Sequence, residues 1–163
     1  MSAVRSAWLA EDAATAGLGA ALAATAPEGA VVHLHGALGA GKTTLARAWL
    51  RALGVTGPVR SPTYTLVERY PLGAGGEALH LDLYRIGQAG ELDFLGLDDA
   101  DARLWLVEWP ERGAGVLRTP DLEVALEVLG EGRAATLRFR GRQGDAWAER
   151  LDAQGGLQGL PEP

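Results

Sequence analysis

A glycine-rich segment at residues 33–44, HLHGALGAGKTT, limits the folds open to this chain more than any other feature. Gly36, Gly41, Lys42 and Thr43 match the spacing GxxxxGK(S/T), with the apolar run VVHLH leading into it and a helical pattern beginning at Thr43. Glycines let successive backbone N–H groups turn towards an anion, and the N-terminus of the following helix favours negative charge at the same place. The spacing therefore predicts a phosphate-binding loop, or P-loop, between a buried strand and a helix.

Lys42 is the only lysine in the chain, because all the others of its fifteen basic residues are arginines. In a P-loop this lysine reaches the terminal phosphates as a compact charge, and the wide planar guanidinium of arginine does not replace it easily. The hydroxyl of the next residue binds Mg²⁺. The nucleotide-binding residues predicted for the loop are Gly36, Gly39, Ala40, Gly41, Lys42, Thr43 and Thr44.

The length and composition are typical of one globular domain. With 163 residues, 47% of them hydrophobic, the chain is long enough for one core, and no apolar run approaches the roughly 20 residues that cross a bilayer. We expect a single domain at residues 1–150 and a flexible tail at 151–163. The N-terminus has no basic region followed by an apolar stretch, which favours a cytoplasmic location. The lack of cysteine excludes thiolate chemistry, and the net charge of −6 argues against direct binding of nucleic acid.

The apolar patterns along the chain predict alternating helices and strands. The expected elements are a helix at 11–26, a buried strand at 31–35, the P-loop helix at 43–54, a hairpin at 60–85, short helical turns at 87–102, a buried strand at 104–108, a second hairpin at 121–140 and a last helix at 144–154. This order predicts an α/β, P-loop NTPase-like three-layer fold. Its mixed sheet would have a parallel core and antiparallel hairpins, flanked by helices.

Two acidic residues end predicted strands on the side where open α/β sheets bind their ligands. Glu108 ends the apolar run LWLV and would bind a metal directly or through water. Asp82 ends the run HLD and would hold a metal-bound water or orient the attacking one, with a pair to Arg85 as the alternative. Thr63 would sense the γ-phosphate, or serve as an ordinary turn hydroxyl. Because phosphoryl transfer needs charge neutralisation and a positioned nucleophile, the catalytic candidates are Lys42, Asp82 and Glu108.

The three histidines raise the alternative of a transition-metal site. The run HLH places His33 and His35 on one strand face, and HLD adds His80 beside an acid. A histidine inside the strand that leads to a P-loop is more often packed in a core, so the sequence favours core positions over a metal site. Among the five tryptophans, Trp109 is the one expected near the functional site because it follows Glu108.

The sequence favours adenine over guanine as the base of the nucleotide. Guanine recognition in GTPases uses an NKxD motif, and the single lysine is already assigned to the P-loop. The segment DFLG at 93–96 matches a DxxG switch pattern, which is a weak signal without NKxD. We therefore expect ATP and Mg²⁺ as the ligands.

Five motifs follow one another along the chain: GALGAGKTT, SPTYTLVERY, HLDLYR, ELDFLGL and LVEWPERGAG. In this order they closely resemble the bacterial TsaE (YjeE) family, over about residues 8–140. Members of that family are small ATPases required for making threonylcarbamoyladenosine in tRNA. The resemblance implies an ATPase with weak basal activity that regulates or resets the transferase pair TsaB and TsaD. It also implies that tRNA is reached only through those partners.

The resemblance further implies roles for individual residues. Thr43 and Glu108 would hold Mg²⁺, Lys42 would bind phosphate, and Asp82 would be needed for hydrolysis. The nucleotide would also touch the N-terminal helix and the distal hairpin turn, and the SPT segment would act as a switch. The residues added in this way are Asp12 and Thr15 in the helix, Gly132 and Arg133 in the turn, and Ser61, Pro62 and Thr63 in the switch-like segment.

Two other functions stay open at this level. A P-loop small-molecule kinase would clamp phosphate with a lid of arginines, although the alternating pattern places Arg138 and Arg140 on one face of a solvated strand. A nucleotide-gated adaptor would bind ATP and a partner without turnover. The arginines of the kinase lid would be Arg133, Arg138, Arg140 and Arg142.

Overall fold

The computed structural model describes residues 3–97 and 101–163. The strands are β1 (Ala3–Leu9), β2 (Ala30–His35), β3 (Val67–Pro71), β4 (Glu77–Asp82), β5 (Ala102–Glu108), β6 (Leu122–Leu129) and β7 (Gly132–Phe139). The helices are α1 (Asp12–Thr25), α2 (Lys42–Ala52) and α3 (Gly141–Ala153), and two 3₁₀ segments span Ala89–Leu95 and Pro110–Gly113. Within the described residues the strands form one sheet in the order β1-β7-β6-β2-β5-β4-β3.

The middle of the sheet is parallel and its edges are antiparallel. Strand β2 lies between β5 and β6 and runs parallel to both, and β4 runs parallel to β5. The pairs β3–β4, β6–β7 and β1–β7 are antiparallel. This mixed sheet confirms the predicted α/β fold and both predicted hairpins. The carboxyl ends of β2, β4 and β5 meet at one edge, which is where open α/β sheets bind ligands.

All three α-helices pack on one face of the sheet, called here the helix face. They cover alternate strand residues such as Val32 and Leu106. The buried rings of Trp49 and Trp147 meet edge to face, with their centroids 5.9 Å apart. Gly19 allows α1 to approach α2, because a Cβ at this position would lie 2.9 Å from a side chain of α2. None of the described helices has the length and apolar character needed to cross a membrane.

The opposite face of the sheet, called here the turn face, is covered by the 3₁₀ segments instead of α-helices. Over β2, β4 and β5 these segments enclose a second core that includes Leu81, Leu92 and Trp105. Further along the sheet, the side chains of Glu127 and Arg138 on β6 and β7 are exposed. The turn face is therefore apolar at one end and polar at the other.

The N-terminal segment forms strand β1, which was not among the elements predicted from the sequence. Strand β1 is the edge of the sheet and pairs with β7, so that Leu9 lies opposite Arg133. The guanidinium of Arg5 lies 2.6 Å from the Asp152 carboxylate, which links β1 to α3. This strand adds a wall to the functional site described below.

The expected domain boundary at residue 150 falls inside α3, and the structure corrects it. The first three residues of the predicted tail, 151–163, complete α3. Leu157 and Leu160 pack against the helix-face core, and Trp8 N donates a hydrogen bond of 2.6 Å to Pro161 O. The prediction of a flexible tail followed the usual behaviour of chain termini and overlooked these leucines, which cover apolar surface of the core.

The hairpin predicted at 60–85 begins later than expected. Thr63 and Thr65 lie in turns and not in the strand, since Leu66 has a φ of 69° and its N–H donates a 2.8 Å hydrogen bond to Pro62 O. This turn holds Thr63 near the end of β4. Within the helical turns predicted at 87–102, residues 98–100 lie outside the described residues.

Candidate functional site

The P-loop connects β2 to α2 at the carboxyl edge of the parallel strands. Its glycines have φ values of 151° at Gly36, 78° at Gly39 and 107° at Gly41, which other residues rarely adopt. A Cβ at Gly36 would lie 2.7 Å from the carbonyl oxygen of Leu126, so the loop also passes too close to β6 for a larger residue. Backbone conformation therefore favours glycine at all three positions, and packing also requires it at Gly36.

Lys42 is only 4% exposed, and its ammonium group lies within the loop. Its Nζ donates hydrogen bonds to the carbonyl oxygens of Gly36 and Ala37, the second at 3.1 Å, and lies 4.3 Å from the centre of the Trp109 ring. Burial lowers the pKa of Lys42, and the negative charge of nearby carboxylates opposes this shift. No carboxylate of the described chain lies within ion-pair distance of Nζ. The ammonium group is therefore available to bind an anion that enters the loop.

Glu108 ends β5 and is 2% exposed. Both of its carboxylate oxygens accept a hydrogen bond of 3.1 Å from the Thr43 hydroxyl. On the other side, His80 Nε2 lies 2.6 Å from Oε2, and the His80 ring is fully buried. A hydroxyl and a carboxylate in contact are the oxygen ligands that Mg²⁺ prefers. Thr43 and Glu108 thus fit the metal role that the sequence predicted for them.

Asp82 ends β4 directly beside Glu108, its register partner on β5. One carboxylate oxygen accepts a hydrogen bond of 3.2 Å from the Thr63 hydroxyl, and the other accepts one of 2.9 Å from the Tyr84 N–H. Arg85, the alternative partner considered for Asp82, stacks instead on the Tyr64 ring at 4.5 Å. The two acids and the switch-like threonine therefore share one end of the sheet.

These groups line one side of a cleft of about 360 Å³. The start of α1 and the turn between β6 and β7 line its other side. Arg133 connects that turn to the P-loop, because its guanidinium donates hydrogen bonds to Ala40 O at 3.1 Å and to Gly39 O at 3.3 Å. The cleft is large enough to hold a small-molecule ligand.

The structure brings most of the predicted site residues together in this cleft. Ser61 and Pro62 do not line it: Ser61 contacts the Thr63 hydroxyl at 2.8 Å, and Pro62 is buried behind the segment. Gly36 contributes through the carbonyl that binds Lys42. The predicted residues that line the cleft are Asp12, Thr15, Gly39, Ala40, Gly41, Lys42, Thr43, Thr44, Thr63, Asp82, Glu108, Gly132 and Arg133.

Several residues of the cleft were not predicted from the sequence. Tyr84 stacks on Trp109 with ring centroids 4.9 Å apart, beside the ammonium group of Lys42. Trp109 was expected near the site, and its φ of 56° turns the chain there. The other unpredicted lining residues are Leu9, Ala10, Glu11, Leu38, Leu126 and Glu131. Leu9 ends β1, Ala10 and Glu11 connect it to α1, and Glu131 lies in the distal turn, so the positions of these four residues depend on pairing between distant segments.

Comparison with known proteins identifies the family. A family model described as threonylcarbamoyl adenosine biosynthesis protein TsaE matches residues 9–135, which include the P-loop, both acids and the distal turn. The chain belongs to the TsaE family. The family resemblance predicted from the five motifs is therefore confirmed.

Individual relatives support the same assignment. The TsaE proteins of Haemophilus influenzae and Aquifex aeolicus, both named as tRNA threonylcarbamoyladenosine biosynthesis proteins, are 45% and 38% identical to this chain over 106 and 112 residues. These alignments cover 63% and 68% of the chain, and 66% and 77% of the two TsaE proteins. The chain thus spans just under two thirds of the Haemophilus influenzae protein. The crystal structure of Bacillus subtilus YdiB superposes with a TM-score of 0.79 at 26% identity and covers 95% of this chain and 98% of that one.

Proposed function

We propose that this TsaE protein binds and hydrolyses Mg-ATP in the cleft and thereby resets a TsaB–TsaD transferase complex that makes threonylcarbamoyladenosine in tRNA. The observation that carries the proposal is the arrangement of Lys42, Thr43 and Glu108 at one end of the cleft. The names of the relatives support a role in tRNA modification. Hydrolysis and the partner complex are inferences from the chemistry of the site and from the family resemblance.

The chain's own groups fit the requirements of phosphoryl transfer. Backbone N–H groups of the P-loop and the Lys42 ammonium group would bind the terminal phosphates. Mg²⁺ would be held by Thr43 and Glu108 and would neutralise negative charge on those phosphates. Asp82 is adjacent to Glu108 and would orient the attacking water. Asp82 Oδ2 accepts a hydrogen bond from the Thr63 hydroxyl. A change in the switch-like segment would therefore alter the orientation of Asp82.

The proposed partners follow from charge as well as resemblance. A net charge of −6 argues against direct binding of nucleic acid through a general electrostatic attraction. We therefore propose that tRNA is reached through TsaB and TsaD and that the protein acts in the cytoplasm. The lack of an NKxD motif supports ATP as the nucleotide.

The packing of the arginines argues against the kinase alternative. Arg140 is paired with the Glu123 carboxylate at 2.6 Å, Arg138 lies on strand β7, and Arg133 is bonded to the P-loop. A phosphate-clamping lid would need these side chains on a segment that can move over the cleft. The arrangement favours release of free phosphate over its transfer to a small molecule.

The decisive experiment measures Mg-ATP binding by calorimetry and phosphate release by the full chain, with and without TsaB and TsaD. We expect weak basal hydrolysis that the partners increase, and loss of both binding and hydrolysis in Lys42→Ala. Arg47→Ala is the matched control, because Arg47 is an exposed cation on the same helix. Robust hydrolysis by Lys42→Ala would overturn the proposal.

The same assay separates the alternatives. Transfer of phosphate to a small molecule would identify a kinase. Release of the transferase pair at an equal rate with a non-hydrolysable ATP analogue would identify an adaptor that needs no turnover.

A further inference from the structure

A second group of potential ligands lies on the turn face of the sheet, away from the P-loop lysine. His33 on β2 is the register partner of Glu123 on β6, and His35 is two residues further along the same strand. One ligand atom from each of these residues lies within 4.8 Å of the other two. The third histidine, His80, is on the helix face, where it contacts Glu108. The structure thus separates His80, which contacts Glu108, from His33 and His35, which lie near Glu123.

His33 is the buried member of this cluster and is 9% exposed. Its Nε2 atom is buried and has no hydrogen-bond partner in the described part of the chain. Buried polar atoms without a partner are uncommon in folded proteins. A buried ring nitrogen without a hydrogen-bond partner is a candidate metal ligand.

The other two members are also oriented as ligands. His35 Nε2 lies 3.2 Å from Glu123 Oε1. Two ligands of one tetrahedral Zn²⁺, with metal–ligand distances of about 2.0–2.1 Å, are about 3.3 Å apart. The guanidinium of Arg140 binds only the other carboxylate oxygen, Oε2, at 2.6–2.8 Å. Glu123 Oε1, the oxygen that contacts His35 Nε2, is the one that would bind the metal while Arg140 holds the carboxylate through Oε2.

We propose that His33, His35 and Glu123 form a binding site for a divalent transition-metal ion of the Zn²⁺ class. Two imidazoles and one carboxylate suit Zn²⁺, Co²⁺ or Ni²⁺, whereas Mg²⁺ prefers oxygen ligands only. Closing the cluster around an ion needs the ligand atoms to approach one another by at most about 1.5 Å, the difference between the 4.8 Å limit and the tetrahedral ligand spacing. Glu111, whose carboxylate lies 3.8 Å from His35 Nδ1, would orient that ring from the other side.

The electrostatics of the cluster are compatible with metal binding. Burial lowers the pKa of His33, and the neighbouring His35 adds to this, while Glu123 and Glu111 oppose it. The site is independent of the proposed ATPase function, although His35 directly precedes the first glycine of the P-loop.

The test is a calorimetric titration of the full chain with Zn²⁺ in a large excess of Mg²⁺, which occupies the oxygen ligands of the nucleotide site. We expect one Zn²⁺ per chain. His35→Ala and Glu123→Gln should each weaken this binding by roughly tenfold or more, since even the loss of an outer-shell partner has an effect of that size. Glu127→Gln is the matched control, because Glu127 is an exposed carboxylate on the same strand and face. It should bind Zn²⁺ as the unaltered chain does.

A spectroscopic measurement keeps the proposal falsifiable if a variant fails to fold. Co²⁺ bound to the unaltered chain should give the visible absorption of a tetrahedral nitrogen- and oxygen-ligated ion, and Zn²⁺ should abolish it. No stoichiometric binding, equal affinity in all variants, or displacement of Zn²⁺ by Mg²⁺ would each overturn the proposal.

Discussion

The buried contact between His80 and Glu108 gives the sharpest test of how the site is built. Glu108 is almost completely buried and has two partners among the described residues, the Thr43 hydroxyl and His80 Nε2. The change His80→Phe removes the second partner and keeps a ring of similar shape in the core. Glu108 would then keep a buried negative charge with one fewer hydrogen bond.

The size of the effect follows from the type of hydrogen bond. A bond to a charged group contributes about 1.5–3 kcal/mol, whereas a bond between neutral groups contributes about 0.5–1.5 kcal/mol. We expect His80→Phe to lower the free energy of unfolding by about 2 kcal/mol in the unaltered background. In the Glu108→Gln background the acceptor is neutral, so the same change should cost about 1 kcal/mol less.

The assay is urea unfolding of the four proteins of this double-mutant cycle at pH 7, without nucleotide, because a bound ligand would raise the apparent stability. His80→Phe should also weaken the effect of Mg²⁺ on ATP binding, since Glu108 would lose its fixed orientation. His80→Phe could instead lower the free energy of unfolding equally in the unaltered chain and in Glu108→Gln. That result would refute the view that His80 stabilises the charged Glu108 carboxylate.

The remaining predictions concern the P-loop, the helix packing and the edge strand. Lys42→Arg should lose ATP affinity almost as fully as Lys42→Ala in calorimetry, because the planar guanidinium does not fit the carbonyl pocket. In thermal unfolding, Gly19→Ala should be destabilising, because its Cβ would lie 2.9 Å from a side chain of α2. Gly17→Ala meets open space, so it should raise the free energy of unfolding by about 0.5–1 kcal/mol. The hydrogen bond from Arg5 lowers the pKa of Asp152, so this partly exposed pair stabilises the fold above the usual aspartate pKa of 3.8 and loses its effect as the pH falls through the lowered value. Asp152→Asn should therefore cost less than about 1 kcal/mol at pH 7, and the difference in unfolding free energy should disappear once the pH is below the lowered pKa of Asp152.

The part of the site that could be predicted from sequence is the part encoded by short local segments. The P-loop needs its glycines, lysine and threonine at fixed spacing, because neighbouring backbone N–H groups must converge on one anion. Glu108 and Asp82 could be placed from the strands that they end, since the carboxyl ends of parallel strands meet at one edge of a sheet. For these residues, local pattern and three-dimensional position are directly linked.

The rest depends on pairing between distant segments, which a local pattern does not encode. The contact of His80 with Glu108 follows from the alignment of β4 with β5, and a run such as HLD does not show which acid the histidine will face. The approach of Glu123 to the HLH segment follows from the register of β2 with β6. The sequence alone does not show this register or bring Glu123 near the histidines. It therefore favours core positions for His33 and His35 over a metal site.

Strand β1 shows how far the nucleotide cleft depends on such pairing. Its antiparallel register places Leu9 opposite Arg133, so the start of α1 and the distal hairpin turn lie on the same side of the cleft. Gly132 makes this approach possible, because a Cβ there would lie 2.5 Å from the Trp8 ring and 2.7 Å from Leu9 O. Arg133 links that turn to the P-loop, because its guanidinium donates hydrogen bonds to two loop carbonyls. The edge strand thus positions one wall of the cleft and restrains the loop on the other side, although it contributes no phosphate or metal ligand of its own.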